Sequence, residues 1–148
     1  MAAPSRSGAS RDWATHAVLA VTVGGACLLL PWILVLSTEL PAAPPGGAWR
    51  LAWVGYDLAL AVALAVTGAL VWTRHRLALV ALVVSTVLVV TDAWFDTCLS
   101  WGTAGQTAAI VSALLIELPA AAILGLAAAR LQRASDVGSR PRDEAEPR

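Results

Sequence analysis

Lysine is absent from the 148 residues, cysteine occurs twice, and methionine, tyrosine and phenylalanine occur once each. Two cysteines are too few for a disulfide-built scaffold. Cys27 falls inside an apolar run and Cys98 in a polar gap, so they read as two free thiols. Charge is also scarce: 14% of residues are charged, where a soluble domain usually carries about 25%. Hydrophobic residues make up 58% and mean hydropathy is +0.71, which excludes a soluble enzyme and a disordered chain. The formal net charge is zero, so no basic field is present to attract a nucleic acid. The motifs of common catalysis are missing as well. There is no Cys-x-x-Cys, no histidine pair on one helix face, no phosphate-cradling glycine loop and no nucleophile elbow.

What is present is a series of four apolar stretches. A membrane-crossing helix needs about 20 mostly apolar residues, and residues 13–37, 49–72, 77–95 and 104–131 pass that test. Backbone groups find no partners in lipid, so each stretch must be helical or part of a closed barrel. The alternating segments of a barrel are not seen. The reading is therefore all-α: a four-helix transmembrane bundle of up-down topology spanning residues 13–132, with disordered cytoplasmic tails at 1–12 and 133–148. Pro41, Pro44, Pro45, Gly46 and Gly47 mark the first connection, Thr73-Arg74-His75-Arg76 the second, and Thr97 to Thr103, with Gly102 as breaker, the third. The first stretch exceeds the ~7–15 residues of a signal-peptide core and is expected to remain uncleaved.

Arginine placement orients the bundle. In this topology Arg6, Arg11, Arg74, Arg76, Arg130, Arg133, Arg140, Arg142 and Arg148 share one side, and Arg50 stands alone on the other. The positive-inside rule then puts both termini in the cytoplasm, in the plasma membrane. Trp13, Trp49, Trp72, Trp94 and Trp101 fall near span ends, where indole anchors at the interface. Small residues four apart offer packing faces: Gly55, Ala59, Ala63 and Thr67 in the second span, and Ala109, Ala113, Glu117, Ala121, Gly125 and Ala129 in the fourth. Pro31 and Pro119 interrupt the first and fourth spans and can kink them.

The most informative residues are four acids placed where hydrocarbon makes them costly: Asp57, Asp92, Asp96 and Glu117. Asp92 and Asp96 lie one turn apart on one face of the third span, continuous with Ser85, Leu82 and Val89. That stripe should face the bundle interior. One arginine, Arg50, cannot balance four carboxylates, which must be protonated, hydrated by a cavity or paired with a bound cation. The four form a candidate proton or cation site, set against a structural reading in which each acid accepts an interhelical hydrogen bond. Asp96 reads as a solvated helix end. Depth along the helices suggests that Asp57 and Asp92 approach each other while Glu117 stands apart. No ligand spacing specifies a metal, and no cofactor is implied.

Asp92-Ala93-Trp94-Phe95-Asp96, Glu117-Leu118-Pro119 and Trp53-Val54-Gly55-Tyr56-Asp57 resemble a group of small, uncharacterised four-span membrane proteins of high-GC actinomycetes. The resemblance covers the spans, leaves out the tails and implies no activity. Small multidrug-resistance exporters share the four-span size, yet their glutamate lies in the first span, which here holds no acid. Two functions remain open. The first is a non-enzymatic integral membrane protein serving as partner or assembly subunit for other membrane chains or for copies of itself. The second is a small proton- or cation-coupled transporter or pathway. The lipid bilayer is the one partner the composition requires.

Overall fold

The computed structural model describes residues 6–39 and 49–138. Four helical rods make up nearly all of it: α1 (Arg6–Glu39), α2 (Trp49–Trp72), α3 (Ala78–Leu99), and a fourth rod in which α4 (Gln106–Ser112) passes through a π-helical turn (Ala113–Glu117) into α5 (Leu118–Gly138). Each rod is long and apolar enough to cross a membrane, over Trp13–Val35, Leu51–Trp72, Ala78–Leu99 and Gln106–Asp136. The proline-glycine connection at residues 41–47 lies outside the described residues, as do the tails before residue 6 and after 138.

Helix extends further into both ends than the disordered tails assigned from sequence, since α1 starts at Arg6 and α5 continues to Gly138. The segment Ala127-Ala128-Ala129-Arg130-Leu131-Gln132-Arg133-Ala134 carries the helix across the end of the assigned span, because these residues have small helical penalties. The fourth span, which Pro119 was expected to interrupt, carries a π-helical turn just before that proline. Leu118 N–H bonds the carbonyl of Ala113, five residues back.

Each rod packs on its sequence neighbour, and α5 returns to close on α1, while neither diagonal pair touches among the described residues. This is the up-down bundle. Its core holds Val18, Leu60, Leu64, Leu82, Val89, Ala121, Leu124 and Ala128. Close approach between α1 and α2 depends on Gly25 and Gly68: a Cβ on Gly68 would stand 2.8 Å from Thr22 Oγ1, and one on Gly25 would stand 3.0 Å from Leu64 Cδ1. Between α2 and α3 a hydroxyl pair is buried, Thr67 Oγ1 and Ser85 Oγ at 2.8 Å. The exterior is apolar, with Leu28, Leu34, Leu51, Val80, Leu115 and Leu126 exposed. That distribution suits a lipid-facing surface, where association depends on small-residue packing and not on hydrophobic burial.

The turn from α2 to α3 has its own chemistry. His75 N–H bonds the carbonyl of Leu70 and Arg74 N–H that of Val71, a Schellman closure with Arg74 in the left-handed region at φ 51°. This turn carries Arg74 and Arg76, and Arg130 also lies at this end, its guanidinium 4.8 Å from the Trp13 ring centre. That cation–π contact ties α1 to α5. A cavity of about 40 Å³ beside it, lined by Trp13, Ala17, Ile123, Ala127 and Arg130, contains no acid. We refer to this as the arginine end.

Candidate functional site

The opposite half of the bundle holds the acids. α3 leaves the arginine end at Ala78 and reaches Asp92 after fourteen residues, about 21 Å at 1.5 Å per residue. Its buried face comprises Ala78, Leu82, Ser85, Val89, Asp92 and Ala93, which is the interior stripe that the 3.6-residue period predicts. Asp57 on α2 is 2% exposed and Asp92 is 8% exposed.

Asp92, Asp96 and Glu117 come together. Each offers a carboxylate oxygen, and these oxygens all lie within 4.8 Å of one another. The expectation that Glu117 stands apart is thus overturned. Counting depth along the backbone left out the lean of side chains toward the N-terminus of their own helix. α3 runs away from the arginine end, so Asp92 and Asp96 lean back toward mid-bundle. The fourth rod runs the other way, so Glu117 leans out to meet them. Asp96, expected as a solvated helix end, is only half-exposed and belongs to this group. Asp57 lies outside the tight trio, buried on α2.

The π-turn positions Glu117. Ser112 Oγ donates to Glu117 Oε1 at 2.7 Å, across five residues. In an α-helix that spacing separates two side chains by about 140° around the axis, whereas i→i+5 bonding brings them onto one side. Ser112 is the site residue that sequence reasoning missed, because no helical periodicity links it to Glu117.

Among the described residues, Asp57 Oδ2, Asp92 Oδ1 and Glu117 Oε2 are buried without a hydrogen-bond partner. The hydroxyls nearest in sequence serve the backbone. Tyr56 Oη donates to the Leu88 carbonyl at 2.7 Å, and Thr91 Oγ1 donates to that of Val87 at 2.8 Å. Arg50, the cation expected near Asp57, lies outside the residues whose side chains are described. Arg74, Arg76 and Arg130 belong to the opposite end. A buried carboxylate oxygen with no donor is an expensive arrangement, and three of them in one half of a bundle leave room for a positively charged visitor or a proton.

No protein-family model, curated protein or solved structure matches the chain.

Proposed function

We propose that this multi-pass protein takes up protons or small cations at its carboxylate site, as a coupled transporter or pathway, and performs no covalent catalysis. The observation that supports it is the convergence of Asp92, Asp96 and Glu117 from two different rods, with buried oxygens left unpartnered on Asp92 and Glu117. Ionisable residues inside a span face a pathway or a partner, and relays in pumps and carriers are built from such acids. The arginine distribution argues for the cytoplasmic membrane with both termini in the cytoplasm, so the site opens from the outer half. Asp57, buried on α2, is the neighbouring station. Purified chain in liposomes with an imposed pH gradient tests the proposal: a proton flux should appear that Glu117→Gln abolishes. Equal flux in protein-free and wild-type vesicles would end it.

The other reading, a non-enzymatic partner or assembly subunit, draws on one observation. Gly24 and Gly55 have no atom within 4 Å of where a side chain would begin, and Ala59 is exposed one turn from Gly55. These small residues leave a face on which another spanning helix, from this chain or a different one, can lie closely. Crosslinking in native membranes discriminates: recovery of monomer alone counts against it.

A further inference from the structure

We propose, resting on the cation-uptake reading, that Asp92, Asp96 and Glu117 form a binding site for a hard divalent cation, with Ca²⁺ as its probe. Hard divalent cations take carboxylate oxygens as ligands. Two oxygens bound to one such ion can stand up to about 5 Å apart, so oxygens that all lie within 4.8 Å of one another are close enough to share it.

A cluster of acids alone says little, and here a second feature points to a ligand. Asp92 is 8% exposed, its Oδ1 is fully buried, and no donor among the described residues reaches it. A proton or a cation would compensate such an atom. Glu117 is arranged in a complementary way: Ser112 holds Oε1 and leaves Oε2 buried and free. A hydroxyl that fixes one oxygen of a ligating carboxylate while the other meets the ion is the usual support of a metal ligand. Asp96, half-exposed near the end of α3, supplies the third ligand on the side from which the ion enters, and water completes the coordination.

The test is calorimetric titration of the full chain in lipid nanodiscs with CaCl₂, alongside thermal unfolding with and without the salt. One Ca²⁺ per chain is expected. Asp92→Asn and Glu117→Gln should each weaken binding at least tenfold, while Cys98→Ser, outside the site, should bind as wild type. Ca²⁺ should raise the unfolding midpoint of the wild type and leave that of Glu117→Gln unmoved. Asp96→Asn, at the more exposed position, guards against misfolding of the deeper variants and should also bind at least tenfold more weakly. Absence of Ca²⁺ binding by the wild type, or wild-type affinity in Asp96→Asn, overturns the proposal. A proton flux sensitive to Glu117→Gln in a chain that ignores Ca²⁺ would sink the divalent site alone. Loss of both signals would sink the uptake reading with it.

Discussion

Ser112 and Glu117 are joined by a 2.7 Å hydrogen bond across a π-turn, and that turn sits immediately before Leu118-Pro119. The two features are linked by backbone geometry. Proline has no N–H, and in an α-helix its ring presses on the carbonyl four residues earlier, here that of Leu115. A π-turn widens the backbone at that point and turns Glu117 toward Ser112. One extra residue in the rod thus accommodates a proline and aims a carboxylate.

That linkage is testable by deletion. Removing Leu115, which is 72% exposed, would return the rod to α-helical bonding and leave the serine and glutamate four residues apart, still on one face. It would also restore the proline clash, worth about 3 kcal/mol. The deletion should therefore destabilise the chain, and Pro119→Ala in the same molecule should recover most of the loss. Unfolding in mixed micelles measures both, and additive effects of the two changes would refute the coupling.

The four spans were legible because the length test needs only composition, and the α3 stripe because Leu82, Ser85, Val89 and Asp92 keep helical period. The site was half legible. Its acids stand out by their cost in hydrocarbon, but their meeting depends on Ser112 and a π-turn, which no 3.6-residue pattern encodes. The small-residue face assigned to α2 turns inward only at Thr67, for a simpler reason. Gly55 and Ala59 are exposed, while Asp57, Leu60, Leu64 and Gly68 are buried. Gly55 precedes Asp57 by two residues, about 200° around the helix, so the two cannot both face inward. Alanine is abundant on every side of these helices, and the polar atoms decide which side turns in.

Gly68 sets the spacing of α1 and α2. Gly68→Ala would place a methyl group 2.8 Å from Thr22 Oγ1, and overpacking of this kind costs about 1–3 kcal/mol. Gly24→Ala and Gly55→Ala meet open space and should be neutral or slightly stabilising, because alanine is the better helix former. Unfolding midpoints of the three variants decide it. An equal response would mean that Gly68 makes no close approach.

The buried hydroxyl pair between α2 and α3 should carry a measurable coupling. Thr67 Oγ1 lies 2.8 Å from Ser85 Oγ and also donates to the Ala81 carbonyl at 3.1 Å. Interhelical hydrogen bonds in membranes average about 0.6 kcal/mol and reach about 1.7. A double-mutant cycle with Thr67→Val and Ser85→Ala is expected to return a value in that range. A coupling indistinguishable from zero would leave the pair with no share in holding α2 to α3.

Arg74 occupies a backbone conformation that glycine tolerates better, at φ 51° in the closing turn of α2. Arg74→Gly removes a left-handed penalty of about 1–2 kcal/mol and adds back part of it as chain entropy in the unfolded state. The net result should be a modest stabilisation. Orientation should not change, since Arg76 and Arg130 remain at that end. Unfolding in micelles combined with a C-terminal reporter fusion reads both quantities, and a destabilised variant would show that the arginine side chain contributes more than its backbone costs.

Asp57 separates a binding site from a structural network. It is 2% exposed, and its Oδ2 has no hydrogen-bond partner among the described residues. If the carboxylate existed to accept a structural hydrogen bond, replacing it would weaken the bundle. A buried group left unsatisfied works in the opposite direction, at a cost of about 1–3 kcal/mol. Asp57→Asn keeps the size, removes an ionisable group from the acidic half and supplies an amide that can donate. The variant should therefore unfold later than the wild type while carrying less proton flux in liposomes. Such a trade of stability for activity is the mark of a residue retained for function. Loss of stability with flux unchanged would place Asp57 among the structural acceptors, and the transport reading would then rest on Asp92, Asp96 and Glu117 alone.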